Sequence, residues 1–237
     1  MRHLVRSFNM VELSMIALVT IAALIGFVHG LATQNALFAG IETIAAVCGI
    51  CSVVLAAKGK RSGFLFGIIN ALGYSFISYS SNYYGEVMLN MLFYVPSNIV
   101  GFIVWKRNAH KQRIGEVQGR AMTGLQFAGS AVLLLAATFA YQVFLRYLGG
   151  SMAALDGFTT LASIFATLLM VSRFAEQWFY WIAVDIVTVI MWIIAQDPVM
   201  VVMWGAFLAN AVYGCLLWCY KAGKRVPFEP LVAKLAD

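Results

Sequence analysis

An aspartate, Asp185, lies within one of the most apolar stretches of the chain. Trp178 and Trp181 precede Asp185, Thr188 follows it, and the four residues fall at offsets of 0, 3, 7 and 10. That spacing places them on one face of a helix. Tryptophan rings beside a carboxylate suit the binding of a flat cationic ring. The alternative role for Asp185 is a hydrogen bond that joins two helices.

Amide and phenol side chains recur in three further apolar stretches: Asn70, Asn90, Tyr94, Asn98 and Asn210. Each of these groups can donate or accept a hydrogen bond, so they suit a ligand with hydroxyls and a carboxamide. One such residue would be explained as a bond between helices, worth about 0.6 kcal/mol. Four asparagines near the centres of their segments favour a hydrated pocket instead. Pro96 is predicted to kink the helix beside Asn98 and to free backbone carbonyls there.

Other residues that often carry chemistry are better explained by packing. The four cysteines, Cys48, Cys51, Cys215 and Cys219, lie inside apolar runs without a histidine nearby. The three histidines fall outside the interiors of the apolar segments, so the sequence predicts neither a metal site nor a cofactor. It also lacks a glycine-rich phosphate-binding loop, which excludes a built-in ATP-driven motor.

The composition indicates which elements position these residues. Hydrophobic residues make up 62% of the 237 residues and charged residues 11%, and the mean hydropathy is +0.85. Soluble domains have roughly 45–50% apolar and about 25% charged residues. A chain this apolar cannot cover its core with a polar surface, so lipid must surround most of it. The net charge of +6 then indicates basic loops that face anionic lipid, and not a nucleic-acid partner.

Eight apolar segments are long enough to cross a bilayer as helices, which takes about 20 residues each. They are residues 11–30, 36–57, 62–81, 84–105, 122–147, 154–172, 177–195 and 199–220. With the N-terminus inside, fifteen of the sixteen lysines and arginines fall on the cytoplasmic side. The positive-inside rule requires such an asymmetry. The sequence therefore predicts a multi-pass protein of the bacterial inner membrane with both termini in the cytoplasm.

The first segment could instead be a cleaved signal peptide, because Arg2 and Arg6 precede it. Its apolar stretch runs from Val11 to about Val28, longer than the roughly 7–15 residues of an ordinary signal core. We therefore interpret it as a retained transmembrane helix. Cleavage would leave the orientation of the other seven segments unchanged.

The polar residues also indicate an internal repeat. Asn70 in the third segment corresponds to Asp185 in the seventh, and Asn98 in the fourth corresponds to Asn210 in the eighth, 112–115 residues later. One segment separates the two sets of three, so both sets have the same orientation. Transporters are often built from such repeats, with the substrate near the midplane between them.

The predicted fold class is an all-α integral membrane protein of eight transmembrane helices. One extra N-terminal helix precedes two parallel triple-helix bundles in a 3+1+3 arrangement. The predicted parts are residues 1–35 for the extra helix, 36–105 for the first bundle, 106–150 for a basic cytoplasmic loop and linker helix, 151–222 for the second bundle and 223–237 for a cytoplasmic tail.

The segment from Trp178 to Asp185 resembles the signature of the PnuC family of nicotinamide riboside transporters. That signature is Trp-x-x-Trp followed four residues later by Asp or Asn. The resemblance covers most of the chain and includes the Phe-Gly-x-x-Asn sequence at residues 66–70 and the basic loop after the fourth segment. The family has the 3+1+3 repeat of full-length SWEET proteins, and some members carry an extra N-terminal helix. The resemblance implies a transporter and not an enzyme.

A specific function follows from this resemblance. Members pass nicotinamide riboside by facilitated diffusion, and a cytosolic riboside kinase then traps it as the phosphate. Carried over, Trp178 and Trp181 would line the ring site, while Asp185 and the asparagines would take the ribose hydroxyls and the carboxamide. Family members also form homo-oligomers, trimers among them. The implied partners are thus the riboside, membrane lipid and further copies of the chain.

Three alternatives remain open. Another cationic aromatic vitamin, thiamine especially, would suit the same face. An intramembrane enzyme could use Asp185, although no second acid, histidine or metal set accompanies it. A receptor or assembly scaffold would need no polar residues at the midplane. An enzyme would modify a small substrate, whereas a scaffold would bind none.

Overall fold

The computed structural model describes residues 8–33, 35–80, 84–109, 119–147, 153–194 and 198–221. In chain order the helices are α1 (Met10–Thr33), α2 (Ala36–Ala57), α3 (Ser62–Ser80), α4 (Tyr84–Leu89), a π-helical turn (Asn90–Tyr94), α5 (Val95–Arg107), α6 (Gly124–Tyr147), α7 (Ala153–Val171), α8 (Gln177–Ile194) and α9 (Pro198–Lys221). Each predicted segment corresponds to helix, with ends that agree to within three residues. The prediction of an all-helical fold is confirmed for the described part of the chain.

Six helical stretches are long and apolar enough to cross a membrane: Met10–Ala32, Ala36–Ala57, Ser62–Ser80, Val87–Arg107, Gly124–Phe144 and Met203–Lys221. Helices α7 and α8 contribute shorter apolar stretches, Gly157–Val171 and Gln177–Met191. Large apolar side chains also lie on the outside of the protein. On α6, for example, Leu135 and Phe139 are more than half exposed. Such a surface needs lipid around it, as a multi-pass membrane protein requires.

The chain divides into two compact units. Of the described residues, the first unit holds 8–109 and the second holds 119–221. In the first unit, α2 contacts α1 and α3, and α3 also contacts α5 and the π-helical turn. In the second unit, α7 contacts α6 and α8, and α8 also contacts α9. The helices with candidate residues are therefore packed against neighbours of their own unit.

Helix α1 begins with a reciprocal capping box. The Glu12 backbone N–H donates to Asn9 Oδ1 at 2.9 Å, and the Asn9 backbone N–H donates to Glu12 Oε2 at 2.9 Å. Two otherwise unpaired donors of the first turn are thereby satisfied. The same Glu12 side chain is fully buried against α2. The extra N-terminal segment thus forms a packed helix of the first unit.

The helix predicted to be kinked near Pro96 contains a π-helical turn. The Val95 N–H donates to the Asn90 carbonyl, five residues earlier. Pro96 lies in the first turn of α5, where its missing N–H removes one α-helical hydrogen bond. π-Helical turns inside α-helices are often found at functional sites. This one carries Asn90 and Tyr94, two of the candidate residues.

Candidate functional site

The loop before α8 is held by the backbone of the segment before α6. The Arg120 N–H donates to the Arg173 carbonyl at 2.7 Å, and the Ala175 N–H donates to the Arg120 carbonyl at 2.8 Å. The Arg120 guanidinium also lies 4.6 Å from the centroid of the Phe174 ring. Arg173 has a φ of 68°, a left-handed conformation typical of the residue after a helix. These contacts position the start of α8.

Burial lowers the pKa of Arg173 from its ordinary value, and the nearby charge of Arg120 lowers this pKa further. Both causes disfavour the charged form of the guanidinium. A lowered arginine pKa still leaves the group charged at neutral pH. The loop before α8 therefore brings two positive charges close together.

The predicted polar face of α8 lies inside the second unit. Asp185 is 4% exposed and Thr188 is 8% exposed. The Thr188 hydroxyl donates to the Val184 carbonyl of its own helix at 2.8 Å. Within the described part of the chain, the Asp185 carboxylate has neither a hydrogen bond nor an ion pair. The structure therefore does not show the bond between helices that was the alternative explanation for Asp185.

Trp178 fills the contact between α8 and α9. A Cβ atom at Gly214 would lie 2.6 Å from Trp178 Cζ2, so only glycine lets the two helices approach this closely. The Trp178 and Trp218 rings meet edge to face, with centroids 6.5 Å apart. Trp178 is 3% exposed. Because Trp178 lies in the core, packing of α8 against α9 explains much of why a tryptophan occurs at this position.

Trp181 has a different environment from Trp178. It is only partly buried and packs against an apolar cluster from α6, α7 and α8, formed by Leu134, Ala162, Ala166, Tyr180 and Val184. The cluster is anchored by a hydrogen bond of 2.7 Å between the Tyr180 and Ser130 hydroxyls. One side of the Trp181 ring thus packs against this cluster, and another part of the ring is exposed at the surface of the second unit. Of the two tryptophans, Trp181 is the better placed for a ligand.

Asn210 lies on α9, the helix that packs against α8. Its side chain is 1% exposed, so it belongs to the interior of the second unit. The second unit thus holds buried polar side chains on both helices of this pair, Asp185 and Thr188 on α8 and Asn210 on α9. The other predicted site residues belong to the first unit.

In the first unit, Asn70 forms a bond between helices. Its Nδ2 atom on α3 donates to the Ala45 carbonyl on α2 at 2.9 Å. A Cβ atom at Gly49 would lie 3.0 Å from this same nitrogen, so α2 fits tightly around the amide. The alternative role considered for these asparagines, a hydrogen bond between two helices, therefore applies to the Asn70 amide nitrogen. The half-buried side chain can still accept a hydrogen bond through its oxygen.

The remaining candidates of the first unit lie on the π-helical turn and α5. Asn90 is 5% exposed, and Tyr94 and Asn98 are half-buried. Asn98 Nδ2 donates to the Tyr94 carbonyl at 2.8 Å, four residues earlier on the same helix. Asn98 Oδ1 lies directly against Gly67 of α3. Asn98 therefore contributes to the packing of α3 on α5 as well as to the polar face.

The cysteines occur as free thiols. Cys48 and Cys219 are buried, and Cys51 and Cys215 are partly buried. The described residues contain no group of three histidine, cysteine or acidic side chains that could hold a metal ion.

One residue of the second unit was missed in the sequence. Gln177, the first residue of α8, is fully buried. Neither its Nε2 nor its Oε1 atom has a hydrogen-bond partner among the described residues. Its spacing of four residues from Trp181 would have placed it on the same helical face. A glutamine at the end of an apolar segment instead looks like a boundary residue exposed to water.

Comparisons with known proteins agree with this architecture. The family profile described as "Nicotinamide mononucleotide transporter" matches residues 39–220. The nicotinamide riboside transporter PnuC of Neisseria mucosa is 37% identical over 187 residues, which cover 75% of this chain and 71% of that protein. The PnuC transporter of Haemophilus influenzae is 35% identical, with 74% of this chain and 77% of that protein covered.

A solved structure is similar over nearly the whole chain. The crystal structure of the vitamin B3 transporter PnuC matches with a TM-score of 0.73 and 33% sequence identity, covering 91% of this chain and 93% of that one. These relatives are named as transporters, in agreement with the prediction that the chain is not an enzyme. The family profile runs from α2 to the last turn of α9 and so includes every helix that carries a candidate residue. The chain therefore belongs to the PnuC family of nicotinamide riboside transporters.

Proposed function

We propose that this chain carries nicotinamide riboside across the bacterial inner membrane by facilitated diffusion. The observation that carries the proposal is the buried Asp185 carboxylate, which has no ion pair within the described residues and shares a helical face with Trp181. A charge at the bilayer centre costs about 2.5–3.5 kcal/mol on insertion scales, so it is normally retained for a function. The pyridinium ring of the riboside is a flat cation. It would neutralise the carboxylate and stack on the tryptophan.

The charge of the site favours the riboside over its mononucleotide. A phosphate adds about −1.5 to −2 charges at neutral pH, which a buried carboxylate would repel. Arginine and lysine are the side chains that bind phosphate best. The sequence places none of them in the interior of the eight apolar segments. We therefore take the dephosphorylated nucleoside as the transported form.

In this proposal the substrate sits near the midplane and uses residues from both repeats. Trp181 and Trp178 line the ring site, and Asp185, Thr188 and Asn210 belong to the same unit. From the internal repeat in the sequence, the proposal also assigns hydrogen bonds to the ribose to four polar residues of the first repeat: Asn70, Asn90, Tyr94 and Asn98. Facilitated diffusion alone only equilibrates the riboside. A cytosolic riboside kinase would trap the product, because the added phosphate prevents its return.

The proposed topology has eight spans, an extra N-terminal helix before a 3+1+3 pair of parallel bundles, and both termini in the cytoplasm. The distribution of lysine and arginine supports this orientation. We further propose a homo-oligomer, with a trimer as the expected form. Fusions of alkaline phosphatase and of green fluorescent protein after each predicted span test the topology. An active phosphatase fused after residue 221 would contradict it, and the mass of the detergent-solubilised protein tests the trimer.

Titration calorimetry on the purified protein tests the substrate. Nicotinamide riboside, nicotinamide mononucleotide, nicotinamide and thiamine are compared, with Trp181→Ala as the variant. We expect selective binding of the riboside by the wild type and weaker binding by the variant. Binding of thiamine alone would retain the fold and identify a sister vitamin transporter. Binding of none of the four would contradict the proposed function.

A further inference from the structure

Gln177 is a buried polar residue whose side chain has an unpaired donor and an unpaired acceptor. The residue is 0% exposed, and its amide nitrogen and oxygen both lack a hydrogen-bond partner among the described residues. Buried polar groups in proteins are nearly always paired, so an unpaired donor and acceptor on one side chain needs an explanation. The free energy lost by leaving both unpaired is offset only if a ligand or water pairs with them.

The next residue of α8 carries a second unpaired donor. The indole nitrogen of Trp178 also lacks a hydrogen-bond partner in the described part of the chain, and Trp178 is 3% exposed. By contrast, the backbone donors of the first turn of α8 are occupied. The N–H groups of Gln177 and Trp178 donate to the Phe174 and Ala175 carbonyls at 3.4 and 3.2 Å. A ligand at this end of α8 would therefore meet side-chain groups and not a free helix N-terminus.

The position of Gln177 relates it to the proposed substrate site. Gln177 precedes Trp181 by four residues and Asp185 by eight, so the three lie along one side of α8. A helix rises about 1.5 Å per residue, which puts Gln177 roughly 12 Å from Asp185 along the axis, with Trp181 midway. A flat ring on Trp181 could therefore have one polar end toward Gln177 and the other toward Asp185.

We propose that Gln177 binds the carboxamide of the transported pyridine nucleoside and selects the amide over the corresponding acid. This inference rests on the proposed function and adds an orientation to it, with the carboxamide toward Gln177 and the ribose toward Asp185. Two primary amides pair through two hydrogen bonds, each giving one N–H and taking one at its carbonyl. A carboxylate in the same place cannot donate, and it faces the Gln177 carbonyl oxygen with a like partial charge.

The test compares three ligands on the purified full-length protein by titration calorimetry. They are nicotinamide riboside, nicotinic acid riboside and the ribosylpyridinium that lacks the carboxamide. We expect the wild type to bind the first about tenfold or more tightly than the other two. Gln177→Leu should lose this preference by weakening only the binding of nicotinamide riboside. Equal binding of nicotinamide riboside and ribosylpyridinium by the wild type would overturn the inference without any variant.

The control is Gln142→Leu, the same change at a half-buried position on α6 of the same unit. It should keep the wild-type ratio of affinities. Gln177→Met, which preserves the length of the side chain, serves if the leucine variant does not fold. If a variant at position 177 keeps the wild-type ratio of affinities for the three ligands, the inference is wrong while the proposed function stands. If the wild type binds no pyridine nucleoside, the proposed function fails and the inference fails with it.

Discussion

The Lys58 ammonium donates to both carboxylate oxygens of Glu12, at 2.8 and 2.9 Å, and so connects the start of α1 to the end of α2. Glu12 is fully buried and the Lys58 side chain is 14% exposed. The Lys58 nitrogen also lies 5.6 Å from the centroid of the Phe8 ring. Because the ion pair joins residues 46 positions apart, it holds the N-terminal helix α1 against α2 of the first unit.

Removing the charge of Glu12 should therefore destabilise the protein. We expect Glu12→Gln to cost about 2–3 kcal/mol, because it breaks a buried ion pair and leaves the lysine without its partner. Thermal unfolding in detergent measures the effect. Glu42→Gln is the matched control, since Glu42 is a half-buried glutamate of α2 without an ion pair in the described part of the chain. Equal losses of stability in the two variants would argue against this role for the pair.

A methyl group at Gly214 should disturb the contact between α8 and α9. Its carbon would lie 2.6 Å from the Trp178 ring, so either the ring or the helix must move. Overpacking of this kind typically costs about 1–3 kcal/mol. We expect Gly214→Ala to lower both thermal stability and riboside affinity. Gly205→Ala on the same helix is the control, because apart from the adjoining helix backbone no atom of the described residues lies within 4 Å of the added carbon there. If Gly214→Ala changes neither thermal stability nor riboside affinity, the contact between α8 and α9 can adjust to the added methyl group without cost.

Much of this architecture could be predicted because it depends on local patterns. Long apolar runs predicted helix ends to within three residues. The three- and four-residue spacing around Asp185 predicted that these residues share one face of a helix. The burial of Gln177 could not be predicted in the same way. It depends on the loop before α8, which is held by Arg120 from a segment more than 50 residues earlier. Nor did the sequence show that the Asn98 amide would bond to its own helix, because that depends on the side-chain rotamer adopted.

Asn70 should affect stability as well as transport. Its amide nitrogen holds α3 against α2 through the Ala45 carbonyl, and hydrogen bonds between membrane helices are worth about 0.6 kcal/mol on average. We expect Asn70→Ala to lower the unfolding temperature slightly. We expect the same variant to bind the riboside markedly more weakly than the small loss of stability would explain. Asn108→Ala is the control, since among the described residues its side-chain amide bonds only to the Val104 carbonyl near the end of α5. If Asn70→Ala changes stability alone, Asn70 joins helices and is no part of the substrate site.

Asp185 should discriminate between charged and neutral ligands. In Asp185→Asn the side chain keeps its shape but loses the negative charge that would attract a pyridinium ring. We expect binding of the cationic riboside to fall about tenfold or more, the factor that corresponds to losing one hydrogen bond to a charged group. Any weak binding of neutral nicotinamide should change little. A parallel loss for both ligands would mean that the substitution disturbs the fold and not the charge.

The same carboxylate also allows a test of the transport mode. Facilitated diffusion predicts that proteoliposomes equilibrate the riboside and that an imposed pH gradient does not change the final internal concentration. The reason is that a uniporter moves no proton with its substrate, so the proton gradient supplies no free energy for accumulating the riboside. The measurement is uptake of labelled riboside with the pH inside equal to, above or below the pH outside. Accumulation beyond equilibrium when the outside is acidic, lost in Asp185→Asn, would instead identify a proton-coupled transporter with Asp185 as the proton carrier.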